Sequence, residues 1–191
     1  MRIITVPHST LRQKAARVEK VDKRLLKFIA QLSQTLSDTH KGKVAGVGLA
    51  APQVDKLLSV FSTYLPDTLG IKKLRIFINP TILDHSDKQI LGAKASDKEP
   101  RDEGCLSIPG LWGPVPRWEW ASFGYQVIEN GVLVDKTEHF KDFPARVMLH
   151  EYDHLHGVLF TDYSLKYDLP VLKEVANGEY EEVDKRVLES W

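Results

Sequence analysis

The stretch VMLHEYDHLHG, residues 147–157, constrains the chain most, because it is spelled like a buried helix yet carries two histidines and two acids within five residues. Burying such groups unpaired costs several kcal/mol, so the fold must supply partners for them. At about 100° per residue, His150 and His154 differ by only about 40° in direction, with Glu151 between them, so the three side chains share one helical face. Two imidazoles four residues apart can bind one divalent ion, while a glutamate one position offset reaches water at the ion rather than the ion itself. A solvated helix surface is the rival reading. The apolar neighbours Val147, Met148, Leu149, Leu155 and Val158 oppose it, since a helix apolar on most sides is buried. His156 points elsewhere and is expected in solvent.

A catalytic metal centre needs a third ligand, and DEGCLSIPG at 102–110 offers Cys105, the only cysteine in the chain. A lone cysteine is most often a small buried hydrophobe. This one follows a glycine and precedes a proline-containing loop, a poor place for core packing. A cysteine nucleophile with a histidine base is the alternative chemistry, but it accounts for one histidine and leaves the second and Glu151 unexplained. A third segment, GVGLAAPQ at 46–53, places Gly46 and Gly48 where backbones can approach closely. It is not a dinucleotide fingerprint, because the third glycine, the preceding strand and the following helix are missing.

The rest of the chain bounds the class. At 191 residues one domain is expected, and 26 basic against 26 acidic side chains give no net field to attract nucleic acid or an anionic membrane. No disulfide is possible, the first residues MRIITVPHSTLR lack the apolar core of a signal peptide, and no run approaches a membrane span. A soluble intracellular protein follows. Leu25, Ile29, Leu32 and Leu36 predict a helix over residues 21–40 that packs on a sheet. Strands are expected at 57–63 and 74–83, and a hairpin over 125–140 turning at Asn130-Gly131. Residues 84–102 and 104–117 read as loops or irregular edges. A second helix runs from Phe143 towards Gly157, and VLFTD at 158–162 reads as a short strand. Residues 171–191 hold six acids against three bases, a net −3, and read as a tail that is helical around 180–188 and ill-suited to RNA.

Together GVGLAAPQ, EGCLS and HEYDHLHG stand in the order of three motifs that define the peptide deformylases, and the sequence resembles that family from about Val6 to Asp162. PHSTLR at 7–12, VPR at 115–117 and HGVLFTD at 156–162 support the resemblance. It implies an α+β fold with antiparallel β-sheets packed around a central helix carrying the HExxH metal motif, in a single catalytic domain 1–191 whose residues 163–191 form a divergent helical tail. It implies removal of the N-formyl group from the initiator methionine of nascent polypeptides in a bacterial-type cytoplasm, near the ribosome. Cys105, His150 and His154 would hold one divalent ion, ferrous iron natively, with zinc or nickel as substitutes. Glu151 would be the acid/base, and Gln53 and the Leu106 N–H donors to the oxyanion. Gly46 and Gly48 would present backbone to the substrate.

Two departures from the family pattern are Leu149, where a glutamine is common, and LWGP at 111–114, which puts Trp112 on the peptide side of the cleft. The polar insertion at 91–102 is also long. A metallo-amidase acting on another amide and a metal-binding protein without catalysis are the competing functions. Glu151 and Gln53 oppose the latter, because binding a metal needs neither. Finally, Glu103 two residues before Cys105 and Arg117 across the loop are expected to pair and pin that loop.

Overall fold

In the computed structural model, which describes residues 1–40, 46–66, 71–94, 96, 102–175 and 179–191, Asn130 and Gly131 both take left-handed backbone, with φ of 51° and 80°. Two consecutive positive φ values twist a turn to suit a hairpin. They join β8 (Trp120–Glu129) to β9 (Val132–Lys141), as the sequence predicts. These strands form one side of a five-stranded antiparallel sheet, completed by β3 (Lys72–His85), β2 (Val60–Pro66) and β1 (Gly48–Ala50) at the opposite edge. Within β3, Asn79 adopts φ 50° and interrupts the ladder between Ile78 and Thr81. Its amide replaces the lost bonds, accepting from Val18 N–H at 2.8 Å and donating to Val18 C=O at 2.8 Å and Gln126 at 2.7 Å.

Alternation along the strands gives the sheet two apolar faces. Val60 and Ile78 face α1 (Lys23–His40), whose Leu25, Phe28, Leu32 and Leu36 are buried at helical spacing. Asp22 caps that helix by accepting the Leu25 N–H at 2.8 Å. Phe61, Phe77, Phe123 and Phe140 face α2 (Asp142–His154), against its Ala145, Met148 and Leu149. Each side chain so enclosed contributes about 1.5–3 kcal/mol, which is ample to hold α2 on the sheet despite its polar residues. Leu149 is spent on this core. Gly157 then ends the turn at φ 73°, where a side chain would meet the Arg12 carbonyl at 2.5 Å.

A second antiparallel sheet has the order β11–β10–β6–β5: β5 (Asp102–Cys105), β6 (Ile108–Pro114), β10 (Leu172–Glu174) and β11 (Tyr180–Glu182). A two-stranded ribbon pairs β4 (Gln89–Ile90) with β7 (Arg117–Trp118). This corrects the expectation of loops across 84–117. The β5–β6 register passes from Gly104↔Trp112 to Cys105↔Ile108, so Pro109, Gly110 and Leu111 form a bulge. The turn formers do mark an irregularity, but inside a hairpin. Residues 95 and 97–101 of the polar insertion lie outside the described residues.

Two further expectations change. VLFTD is not a strand, because Phe160 opens α3 (Phe160–Tyr167): the Asp162 carboxylate accepts the Leu159 N–H at 2.8 Å, and Phe160 packs in the core. The segment 163–191 is helical only in part: residues 163–167 belong to α3, and Tyr180–Glu182, expected in a helix, is a strand. After α3 the chain makes β10 and β11, and among the described residues beyond Tyr167 only α4 (Lys185–Leu188) is helical. Pairing of Leu172 with Trp112 gives β10 a tertiary reason to be extended that local propensity cannot show. Leu188 and Val171 are buried with Ile108 and Phe160, so the segment does pack on the domain.

Candidate active site

Gln53 sits in the short 3-10 turn Ala51–Val54 that follows β1, and the Ala50 N–H donates to its Oε1 at 2.8 Å. That bond fixes the amide so that Nε2 points the other way, to the Cys105 Sγ at 3.5 Å and the Ser107 hydroxyl at 3.3 Å. Cys105 ends β5, and Leu106 and Ser107 turn the chain into β6, with the Ser107 N–H donating to the sulfur at 3.4 Å. From α2, His154 brings Nε2 to 3.2 Å from the same sulfur. One donor atom from each of Cys105, His150 and His154 lies within 4.8 Å of the others, close enough for one ion.

The carboxylate of Glu151 lies against Gly48, where an added Cβ would stand 2.1 Å from its Oε1. Glycine is required there by this approach. Gly46 is similarly closed in, by the Thr39 hydroxyl and the Leu106 side chain. Glu151 is buried, and its Oε2 and the Nδ1 of His154 have no hydrogen-bond partner among the described residues. Burial pushes the Glu151 carboxyl up to about 7, against the pull of His150. Burial also holds His154 well below the ordinary histidine range, with His150 adding to the effect, so this imidazole is neutral. His150 is shifted the other way: burial opposes its charge, but contacts with Cys105 and Glu103 outweigh burial. His156 is exposed.

Behind the donors, Glu103 accepts from Arg117 through two parallel bonds, Nε to Oε1 at 3.0 Å and Nη2 to Oε2 at 2.9 Å. The His150 Nδ1 lies 3.0 Å from Glu103 Oε2. Because a carboxylate can only accept, Nδ1 carries a proton, so the neutral form of the ring, the form that can bind a metal, has its lone pair on Nε2. Arg146 and Asp153 join the network, and the sequence reading missed both. Arg146 donates to Glu103 at 2.7 Å and to the carbonyls of Val115, Ile90, Leu91 and Gly92, while Arg117 also reaches Asp153. The signal was present: an arginine inside the apolar run ARVML, residues 145–149, needs a buried partner. Burial raises the Glu103 pKa, but Arg117 and His150 outweigh it and hold the carboxyl well below its usual range.

Gln53, Glu103, Cys105, Arg146, His150 and Glu151 line a cavity of about 480 Å³ between the edge of the first sheet at Gly46–Gly48 and the β5–β6 hairpin, with Trp112 on its wall. A thiol and two imidazoles with convergent donor atoms, beside a buried carboxylate at the cavity wall and on a mixed helical and antiparallel framework, have the make-up of a metal-dependent hydrolase. The polypeptide deformylase family model matches residues 1–169. The chain is 39% identical over 152 residues to the peptide deformylase of Pseudothermotoga lettingae, covering 80% of this chain and 75% of that one. It is 38% identical over 162 residues to that of Clostridium botulinum, covering 83% and 92%. Among solved structures, peptide deformylase 1B of Arabidopsis thaliana in complex with an inhibitor superposes with a TM-score of 0.70 at 32% identity, covering 85% of this chain and 81% of that one. A Plasmodium falciparum peptide deformylase, also inhibitor-bound, gives 0.70 at 29% identity, covering 87% and 91%. The chain belongs to the polypeptide deformylase family: it is a hydrolase that removes the formyl group from the N-terminal methionine of newly made polypeptides. No helix among the described residues is long and apolar enough to cross a membrane.

Proposed function

We propose that Cys105, His150 and His154 hold one divalent ion, ferrous iron in the cell, and that Glu151 is the proton carrier of deformylation. The donor chemistry suits such an ion: a soft sulfur and two imidazoles, one with its tautomer set by Glu103 and the other kept neutral by burial. When bound, the ion supplies Lewis-acid polarisation of the formyl oxygen and makes water at the site more acidic. Glu151 takes the proton from the attacking water and returns it to the departing amine. The Gln53 Nε2 and the Leu106 N–H donate to the oxygen that gains charge at the tetrahedral stage. Gly46 and Gly48 offer backbone to the extended peptide, and the helix bearing HEYDH is the metal helix of this α+β domain. The observation that carries the reading is the unpaired, buried Glu151 carboxylate beside three convergent ligand atoms. On this reading the enzyme works in the cytoplasm, close to ribosomes that release formylated chains.

The test uses formyl-Met peptide, its acetyl counterpart and the free peptide, with metal analysis of protein purified without oxygen. Release of formate alone, by protein holding one metal per chain, is expected. Acetyl hydrolysis at a similar rate would redirect the reading to a general amidase. Air should inactivate the iron form faster than the zinc or nickel forms, through oxidation of the iron or of Cys105. Equal decay of all three would count against an iron centre with a sulfur ligand.

Gly48→Ala tests the placement of Glu151. The new methyl cannot coexist with a carboxylate 2.1 Å away, and the buried Glu151 has little room to retreat. Turnover should fall by about 10²-fold while bound metal stays stoichiometric, since no ligand is touched. Unchanged kcat would show that the carboxylate position is not critical.

A further inference from the structure

The closed end of the cleft and its mouth carry different chemistry. Gln53 and Glu151 are buried at the closed end, where Glu151 Oε2 has no hydrogen-bond partner among the described residues. The lining residues Asp102, Pro109, Gly110, Phe143 and Glu174 are exposed and therefore mark the mouth. A cavity of about 480 Å³ cannot hold a polypeptide, so everything beyond the first residues must leave past these groups. Both ionisable side chains among them are carboxylates. The only arginine or lysine among the described lining residues, Arg146, is buried and engaged by Glu103 and backbone carbonyls.

Sheet register gathers the two carboxylates about an indole. Gly104, Trp112 and Leu172 stand opposite one another across β5, β6 and β10. Cross-strand neighbours share a face, and residues two apart on one strand share it too, so Asp102 and Glu174 flank Trp112 on the cleft side. The Trp112 ring occupies the space a Gly104 side chain would need. Lys173 points to the opposite face by the same alternation and lines a separate cavity with Val183, Val187 and Trp191. A cationic side chain lying over an indole between two carboxylates gains both charge attraction and a cation–π contact.

We propose that Asp102, Trp112 and Glu174 read the charge of the nascent chain just downstream of its methionine and favour lysine or arginine there, with Glu174 the specificity-determining residue. Glu174 comes from β10, beyond the residues matched by the family model. The proposal rests on the deformylase reading. Its test compares kcat/KM for amidated formyl-Met tetrapeptides carrying Lys, Gln or Glu at each of the three following positions, in about 10 mM and about 0.5 M salt. At low salt the wild type should favour Lys over Glu by roughly 5-fold at one or more positions, and less at high salt. In Glu174→Lys the ratio should fall to unity or below, and in Glu174→Gln to an intermediate value. Glu19→Lys makes the same change of net charge at an exposed carboxylate that lines neither cavity, and should keep the wild-type ratio. A charge-independent wild type, an unaltered ratio in Glu174→Lys, or an equal shift in Glu19→Lys would overturn the proposal. Failure of the wild type to hydrolyse even the Gln peptides would instead overturn the deformylase reading.

Discussion

Glu151→Gln is expected to bind one metal ion per chain and to lose about 10²–10⁴-fold or more in kcat, the range contributed by a positioned general acid–base. Glutamine matches glutamate in volume, so α2 and its contacts with the first sheet should persist. Cys105, His150 and His154 are untouched by the change, so the ion should stay. On the proposed mechanism, what disappears is the acceptor for the water proton and the donor to the leaving amine. The variant should also be more stable than the parent at high pH. Burial raises the folded-state pKa of Glu151 above the ordinary carboxylate value. A raised carboxyl pKa stabilises the protonated form in the fold, so ionisation costs stability as pH climbs through about 7, and the amide escapes that cost. Thermal melts of the metal-free proteins across pH, together with metal content and single-turnover rates, check all three statements. An active, metal-loaded Glu151→Gln enzyme would refute the mechanism.

Glu103→Gln should do a different kind of damage. Glu103, Arg117 and Arg146 are all nearly inaccessible, at 7%, 3% and 5% exposure, and the single carboxylate serves both arginines and the His150 ring. Removing its charge leaves two buried guanidiniums with less compensation, a change that costs about 3–5 kcal/mol in comparable buried pairs. Metal affinity or activity should fall by roughly 10–100-fold, because the bond that orients His150 is lost with it. Arg117→Ala should act in the same direction, and the double variant should be little worse than either single one, since both changes break one network. Arg146 remains as a partner of Glu103 in Arg117→Ala, which makes Arg117→Ala the milder of the two. The pH dependence has a definite sign. The folded-state pKa of Glu103 lies below its unfolded value, so its contribution is complete above the unfolded carboxylate range, about 4–5, and is lost as pH falls towards the folded value. The stability gap between wild type and Glu103→Gln should therefore narrow in acid. Single variants with unchanged kinetics, metal content and denaturation midpoints would sink this account.

The sequence by itself determined whatever depends on neighbours along the chain. The 3.6-residue spacing of Leu25, Leu32 and Leu36 encodes α1, Asn130-Gly131 encodes the β8–β9 turn, and the four-residue step from His150 to His154 places two imidazoles on one face. These are local geometric facts that hold wherever the segment packs. Tertiary structure decided the rest. Pro109 and Gly110 signal irregularity, but only pairing with β5 and β10 turns that signal into a bulged hairpin. Phe160 starts a helix where the spelling VLFTD suggests a strand, because the Asp162 cap and burial of Phe160 outweigh a weak β-propensity. Leu172–Glu174 is extended because Trp112 and Leu111 offer it an edge. Arg146 and Asp153 enter the site through contacts that span 43 and 36 residues of sequence, with Glu103 and Arg117 respectively. No pattern along the chain encodes such distances, since they are set when two sheets and α2 close on one another and the buried charges must find partners.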